Sequence, residues 1–152
     1  MKTLTAIRAQ IVTLATSALP DANIHNHERW AITPDAYKDI FVSGSKVHVV
    51  MVKLKTRQET TIVANLTCES VFDFAIKIYR SFQDSTTTAF EDSIETVVNA
   101  FRSNSTLSGT ARTSGWRIPQ IDFTQSPVFL GPVLCHQAIL NYWTLIRQKR
   151  AT

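Results

Sequence analysis

Two histidines and a glutamate stand together at His25-Asn26-His27-Glu28, and imidazole and carboxylate are good ligands for zinc or a similar ion. The H-x-H spacing turns both rings to one side only in an extended segment. No third or fourth ligand follows nearby, so the stretch reads first as polar residues of a linker. Cys135 and His136 are neighbours in a strand-like run. Adjacent strand residues point to opposite faces, so the two form no dyad with each other. A nucleophilic cysteine also needs a base and an orienting group, which His136 offers Cys68 only if the fold brings them together. Asp35 and Asp39 could pair as acid and base, but nothing marks them out.

The stretch from Arg102 to Trp116 is the most loop-like part of the chain, rich in Ser, Thr, Asn and Gly, with Gly109 and Gly115 on either side of Arg112. Such a loop can cradle an anion, serve as a contact arm ordered by a neighbouring subunit, or simply lie on the surface. The densest basic clusters are Lys53, Lys55 and Arg57, and Arg147, Lys149 and Arg150 at the C-terminus. Arg112, Trp116, Arg147, Lys149 and Arg150 are the candidate interface residues. No glycine-rich phosphate loop, G-x-S-x-G elbow or zinc-type cysteine spacing is present, and these are the motifs by which common catalytic and cofactor sites announce themselves. An enzyme is therefore a less favoured reading. A primary nucleic-acid binder is too, since a net charge of +4 is mild beside the concentrated basic stripe such proteins carry.

The elements that must position these residues follow from apolar spacing. Leu4, Ile7, Ile11, Leu14 and Ala18 form one stripe of a helix, which Thr3 can cap and Pro20 stops. After a short extended piece at Ala22–His25, a strand-like middle is expected from about Tyr37 to Phe82. Ser43-Gly44-Ser45 is a turn, and Lys46–Lys55 is a strand apolar on both faces. Thr56–Thr60 reads as a hairpin tip and Thr61–Thr67 as the next strand. Val71–Phe82 alternates, with Phe72, Phe74, Ile76, Ile78 and Phe82 on one side.

Thr88-Ala89-Phe90-Glu91 matches a capping box ahead of a helix that buries Phe90, Ile94, Val97, Val98 and Phe101. Trp116–Phe123 looks extended and bent at Pro119. Gln125-Ser126-Pro127 and Gly131-Pro132 read as breaks. Leu134–Ile146 is a closing strand of 13 residues, roughly 44 Å long at the usual rise. That length implies either a bulge or an end that projects and pairs with something else.

The fold expected is α+β: a single, mostly antiparallel sheet covered by an N-terminal helix and a second helix. Residues 1–152 make one domain, with a mobile loop at about 102–116 and a short basic tail at 147–152. A chain of 152 residues, 44% hydrophobic and 18% charged, can bury a core without a metal or disulfide staple. Its two cysteines and the absence of any ~18-residue apolar run suit a cytosolic chain with reduced thiols, and no cofactor is implied.

This order of elements, helix Leu4–Leu19, strands around Ile40–Lys55 and Val71–Phe82, helix Phe90–Phe101 and closing strand Leu134–Ile146 after the Gly131-Pro132-Val133-Leu134 break, resembles the tail terminator, or tail-completion, proteins of long-tailed bacteriophages. The likeness covers almost the whole chain, through the order of elements rather than a short motif. It implies a structural virion protein, six copies of which form a ring at the head-proximal end of the tail. The ring caps the tail tube protein, docks onto a neck or head-completion protein and, in contractile tails, touches the last sheath layer. Genomic DNA passes through the lumen without sequence readout, no membrane is involved, and assembly takes place in the host cytoplasm. Another head-tail connector protein, or a protein-interaction module of the same α+β type, is the alternative.

Overall fold

The computed structural model describes residues 3–62, 67–83, 86–104, 106–107 and 121–149. It is an α+β fold with three helices and one mostly antiparallel sheet. Helix α1 spans Leu4–Ala18, and Thr3 caps it by accepting a hydrogen bond from the Ala6 N–H at 3.2 Å. The strands are β1 (Asn23–His25), β2 (Val42–Ser43), β3 (Lys46–Ile62), β4 (Thr67–Ser81), β5 (Ile121–Leu130) and β6 (Val133–Lys149), with helices α2 (Pro34–Phe41) and α3 (Thr87–Ser103) between them. The sheet order is β1-β3-β4-β6-β5. Only β1 runs parallel to its neighbour, and β2 pairs with the start of β3.

The two faces of this sheet are covered differently. On one face α1 and α3 pack side by side over the three long strands. Ile7, Ile11 and Ala15 of α1 and Phe90, Ile94, Val97 and Phe101 of α3 meet Phe74, Ile76, Ile78 and Leu140 in one dry core. Each of these side chains except that of Ala15 contributes about 1.5–3 kcal/mol on removal from water. On the other face a smaller cluster, Ile40, Phe41, Val47, Val49, Met51, Tyr79 and Cys135, gathers under α2 at one end of the sheet.

Several expectations from the sequence are corrected. Tyr37–Phe41 is helical rather than extended. Thr33 accepts from the Ala36 N–H at 3.2 Å and Pro34 occupies the first turn, a start that suits proline because the N–H it lacks would be unpaired there. The expected hairpin tip at Thr56–Thr60 and the strand at Thr61–Thr67 do not exist as such. β3 runs on to Ile62, with a bulge between Leu54 and Thr56, and its polar residues pair with Glu69–Asp73 of β4. These residues are exposed, so no apolar alternation marks the strand. Thr56 donates to the Asp73 carboxylate at 2.7 Å, and the Arg57 guanidinium lies 5.5 Å from the Phe72 ring centre.

The capping box at Thr88 is not used. α3 begins at Thr87, and the hydroxyl of Thr86, its N-cap, is engaged with Gln83 and His136 instead of the helix. Arg102 and Ser103 still belong to α3, and Leu107, with φ of +47°, is fully buried in the larger core. The loop expected at 102–116 therefore starts later, and from 108 onward it lies outside the described residues. Gln125-Ser126-Pro127 is no break: β5 passes through it, because an edge strand tolerates a proline whose missing N–H would face away from the sheet. The closing strand is 17 residues long and neither bulges nor overhangs. It pairs with β4 from Cys135 to Lys149, since β3 and β4 are equally extended. Arg147 and Lys149 are thus strand residues, not a tail.

Candidate interaction surface

The segment after β1 crosses the second face and holds α2 in place. The Glu28 carboxylate reaches Lys53 of β3 at 2.9 Å and also pairs with Lys77 of β4. Hydrogen bonds from Lys77 and then Lys53 hold that carboxyl below its ordinary range, against the opposing effect of burial. The Arg29 N–H meets the Met51 sulfur at 3.3 Å. At the far end of α2, His25 Nε2 bonds the Ile40 carbonyl at 2.8 Å and the Asn23 amide donates to the Val42 carbonyl at 2.9 Å. These contacts satisfy carbonyls that a helix end leaves unpaired. Tyr37 then ties α2 to the β5–β6 turn. Its hydroxyl donates to the Leu130 carbonyl at 2.8 Å, and its ring lies where a Cβ on Gly131 would sit, 2.8 Å away. Gly131 has φ of +59°, so both the turn and the ring demand glycine there.

The result is an apolar groove of about 770 Å³ at this end of the molecule, lined by Ile32, Pro34, Tyr37, Val42 and Pro132, with Lys38 and Asp39 on its rim. Ile32 is 95% exposed and Trp30, two residues before it, 76%. On the opposite face of the sheet, at the same end, Phe129 and Leu134 form a cross-strand pair beside the β5–β6 turn; Phe129 is 69% exposed. Large apolar side chains gathered at one end of a fold are a signature of contact surfaces. The opposite end of the long strands is polar. Arg57 pairs with Glu59, and Arg147 with Glu69 at 2.9 Å. Lys55, nearer the middle, donates to the Asn141 side chain at 3.2 Å.

The chemistry-bearing residues singled out in the sequence are dispersed. His25 is a structural bond to α2, His27 Nδ1 lies 2.5 Å from the Asn26 side-chain oxygen, and Glu28 is consumed by two lysines. No group of three potential metal ligands exists among the described residues. Cys135 stands opposite Ser81 and Cys68 opposite Gln148, at the two ends of β4. Both are free thiols, and burial pushes Cys135 up to about 11. His136 does not reach Cys68. It stacks on Phe90 at 4.9 Å, meets Phe82 at 4.5 Å, and bonds the Thr86 hydroxyl at 2.9 Å. Asp35 sits in the first turn of α2 and Asp39 on the groove rim.

Of the candidate interface residues, Arg147 is paired within the chain and Lys149 ends β6 opposite Thr67. Arg112, Trp116 and Arg150 lie outside the described residues. Trp30, Ile32 and Phe129 were missed. Their signal was isolation: each is a large apolar residue outside any amphipathic stripe.

No family model matches this chain, and no curated protein matches its sequence.

Proposed function

We propose that this chain is a structural ring subunit at the head-proximal end of a bacteriophage tail, where a ring of six copies caps the tail tube and joins it to the neck. The observation that carries the reading is the pair of exposed apolar surfaces, Trp30–Ile32 with the groove on one face and Phe129–Leu134 on the other, at one end of a single sheet. One self-complementary patch would suit a two-fold dimer. Two different patches suit a head-to-tail contact, which generates a ring when its rotation closes. A generic module that binds one partner needs only one of them. Internal pairing of the basic residues with Glu28, Glu59 and Glu69 leaves little concentrated charge, as befits a lumen through which DNA slides unread.

The test is the native mass by light scattering, alone and after mixing with the products of the neighbouring genes. A mass near six chains, or a ring that appears only on tube ends, supports the proposal. Ile32→Ser and Phe129→Ser should each prevent assembly while leaving the monomer's circular dichroism unchanged. A wild-type chain that stays monomeric in every mixture rejects it.

A further inference from the structure

A second recess, of about 310 Å³, opens where the C-terminus of α1 meets the start of β3, the end of β4 and Ser93 of α3. Its polar lining is Asp21, Ser43, Lys46, His48, Arg80 and Ser93. His48 and Arg80 are direct cross-strand partners, and His136 stands opposite Arg80 on the next strand. Arg80 thus stands in register between two histidines. Burial first, and then the Arg80 charge, hold both histidines below their ordinary titration range. One group here lacks the partner its chemistry calls for, and a cation stands beside it. His48 Nε2 is buried without a hydrogen bond, and the partly exposed Arg80 side chain makes no ion pair or side-chain hydrogen bond among the described residues. Buried polar nitrogens are nearly always paired, so the unpaired His48 imidazole, with a solvent-reaching guanidinium in register beside it, points to a ligand that accepts hydrogen bonds from both.

We propose that this recess binds a small phosphate-bearing ligand, its phosphate oxygens accepting from the Arg80 guanidinium and His48 Nε2 with Lys46 at the rim. The planar fork of an arginine matches a phosphate, and two cations outnumber the single Asp21 carboxylate. The two serines line the site without serving as its donors: Ser43 already donates to the Asp21 carbonyl at 2.6 Å and Ser93 to the Ala89 carbonyl at 2.8 Å. The volume lies at the lower end of small-molecule pockets, enough for a phosphate with a modest substituent. The site is independent of the ring reading, because the recess is built on the α1–α3 face and shares none of the groove residues.

The experiment is a titration of the full chain with inorganic phosphate at constant ionic strength, followed by thermal unfolding and by the nitrogen-15 shifts of the His48 ring. The expected result is a saturable rise in Tm together with a shift of the His48 Nε2 resonance. Arg80→Gln should weaken binding about tenfold or more, the loss typical of a charge-assisted bond, while Arg102→Gln, at the other end of α3, should bind like the wild type. If Arg80→Gln does not fold, His48→Gln and Lys46→Gln take its place, with losses of about threefold to tenfold. A non-saturable response, or one equal in all variants, means a general ion effect and overturns the proposal. So does a short DNA duplex that shifts the same His48 resonance when phosphate does not, which would make the recess a backbone contact.

Discussion

The two faces of the sheet are built from the same three strands yet held by different means. Beneath α1 and α3, apolar side chains from two helices and three strands interlock, and the cover depends on none of the ion pairs. On the other face, α2 is held over a smaller cluster by individual links: Tyr37 to Leu130, His25 to Ile40, and Glu28 to its two lysines. The first face stabilises the fold through area. The second positions a surface, and the groove with Ile32 exists because a short helix buries Ile40 and Phe41 at its end and is otherwise tied down at chosen points. A surface that must remain available to a partner needs this second kind of construction, since exposed apolar groups survive only where the supporting contacts are elsewhere.

That contrast can be broken first at its strong side. Phe74→Ala in the large core should cost about 3–5 kcal/mol and lower the urea midpoint for the whole protein. Ile40→Ala in the small cluster should cost less, about 2 kcal/mol, and act locally. Hydrogen exchange should show the amides of α2 opening well before those of β4. Equal protection of the two elements would show that the faces form one cooperative unit.

Acid should separate the faces next. His48 and His136 lie on the α1–α3 face with lowered titration ranges caused by burial and Arg80. Below about pH 6.5, the ordinary imidazole value, the unfolded chain takes up protons that the folded chain refuses, so stability falls with pH there. Glu28, on the other face, is lowered by its lysines. Its contribution is intact above the ordinary glutamate value of about 4.3 and is lost only as pH falls through the lowered folded value. Urea midpoints measured from pH 8 to pH 3 should therefore decline in two steps. His136→Gln should weaken the first and Glu28→Gln the second. A single step below pH 5 in the wild type would refute the histidine assignment.

The smallest effect belongs to the polar end of the strands. Arg147→Ala breaks the pair with Glu69 at a site where Arg147 is 40% exposed, and such pairs contribute about 0–1 kcal/mol. Denaturation should barely register the change. A large loss would mean that this end, too, is part of a tightly packed surface.

Much of the fold was legible in the chain because its large core is periodic. The spacing of Ile7 and Ile11, of Phe90, Ile94 and Val97, and the alternation Phe72, Phe74, Ile76, Ile78 each name an element and the side it buries. Legibility failed where water reaches both sides. Arg57, Gln58 and Glu59 sit in a strand whose only local cue is its partner across the ladder, and polar residues in water carry no period. It failed again at α2, where Thr33-Pro34 offered a helix start but eight residues are too few for periodicity to outweigh the β-like neighbours Ile40, Phe41 and Val42.

The site was hidden for a related reason. Exposure of Ile32 and Trp30 is not a property of those residues but of what does not cover them, and the pairing of His48 with Arg80 joins positions 48 and 80 through a register that no local pattern announces. Composition and hydrophobic period by themselves determined a one-sheet α+β fold with two helices on its main core, because burial of apolar side chains is set by local spacing. The groove, the phosphate-sized recess and the placing of each charge were decided only by strand register and by the anchoring of α2, because these are agreements between residues far apart in the chain.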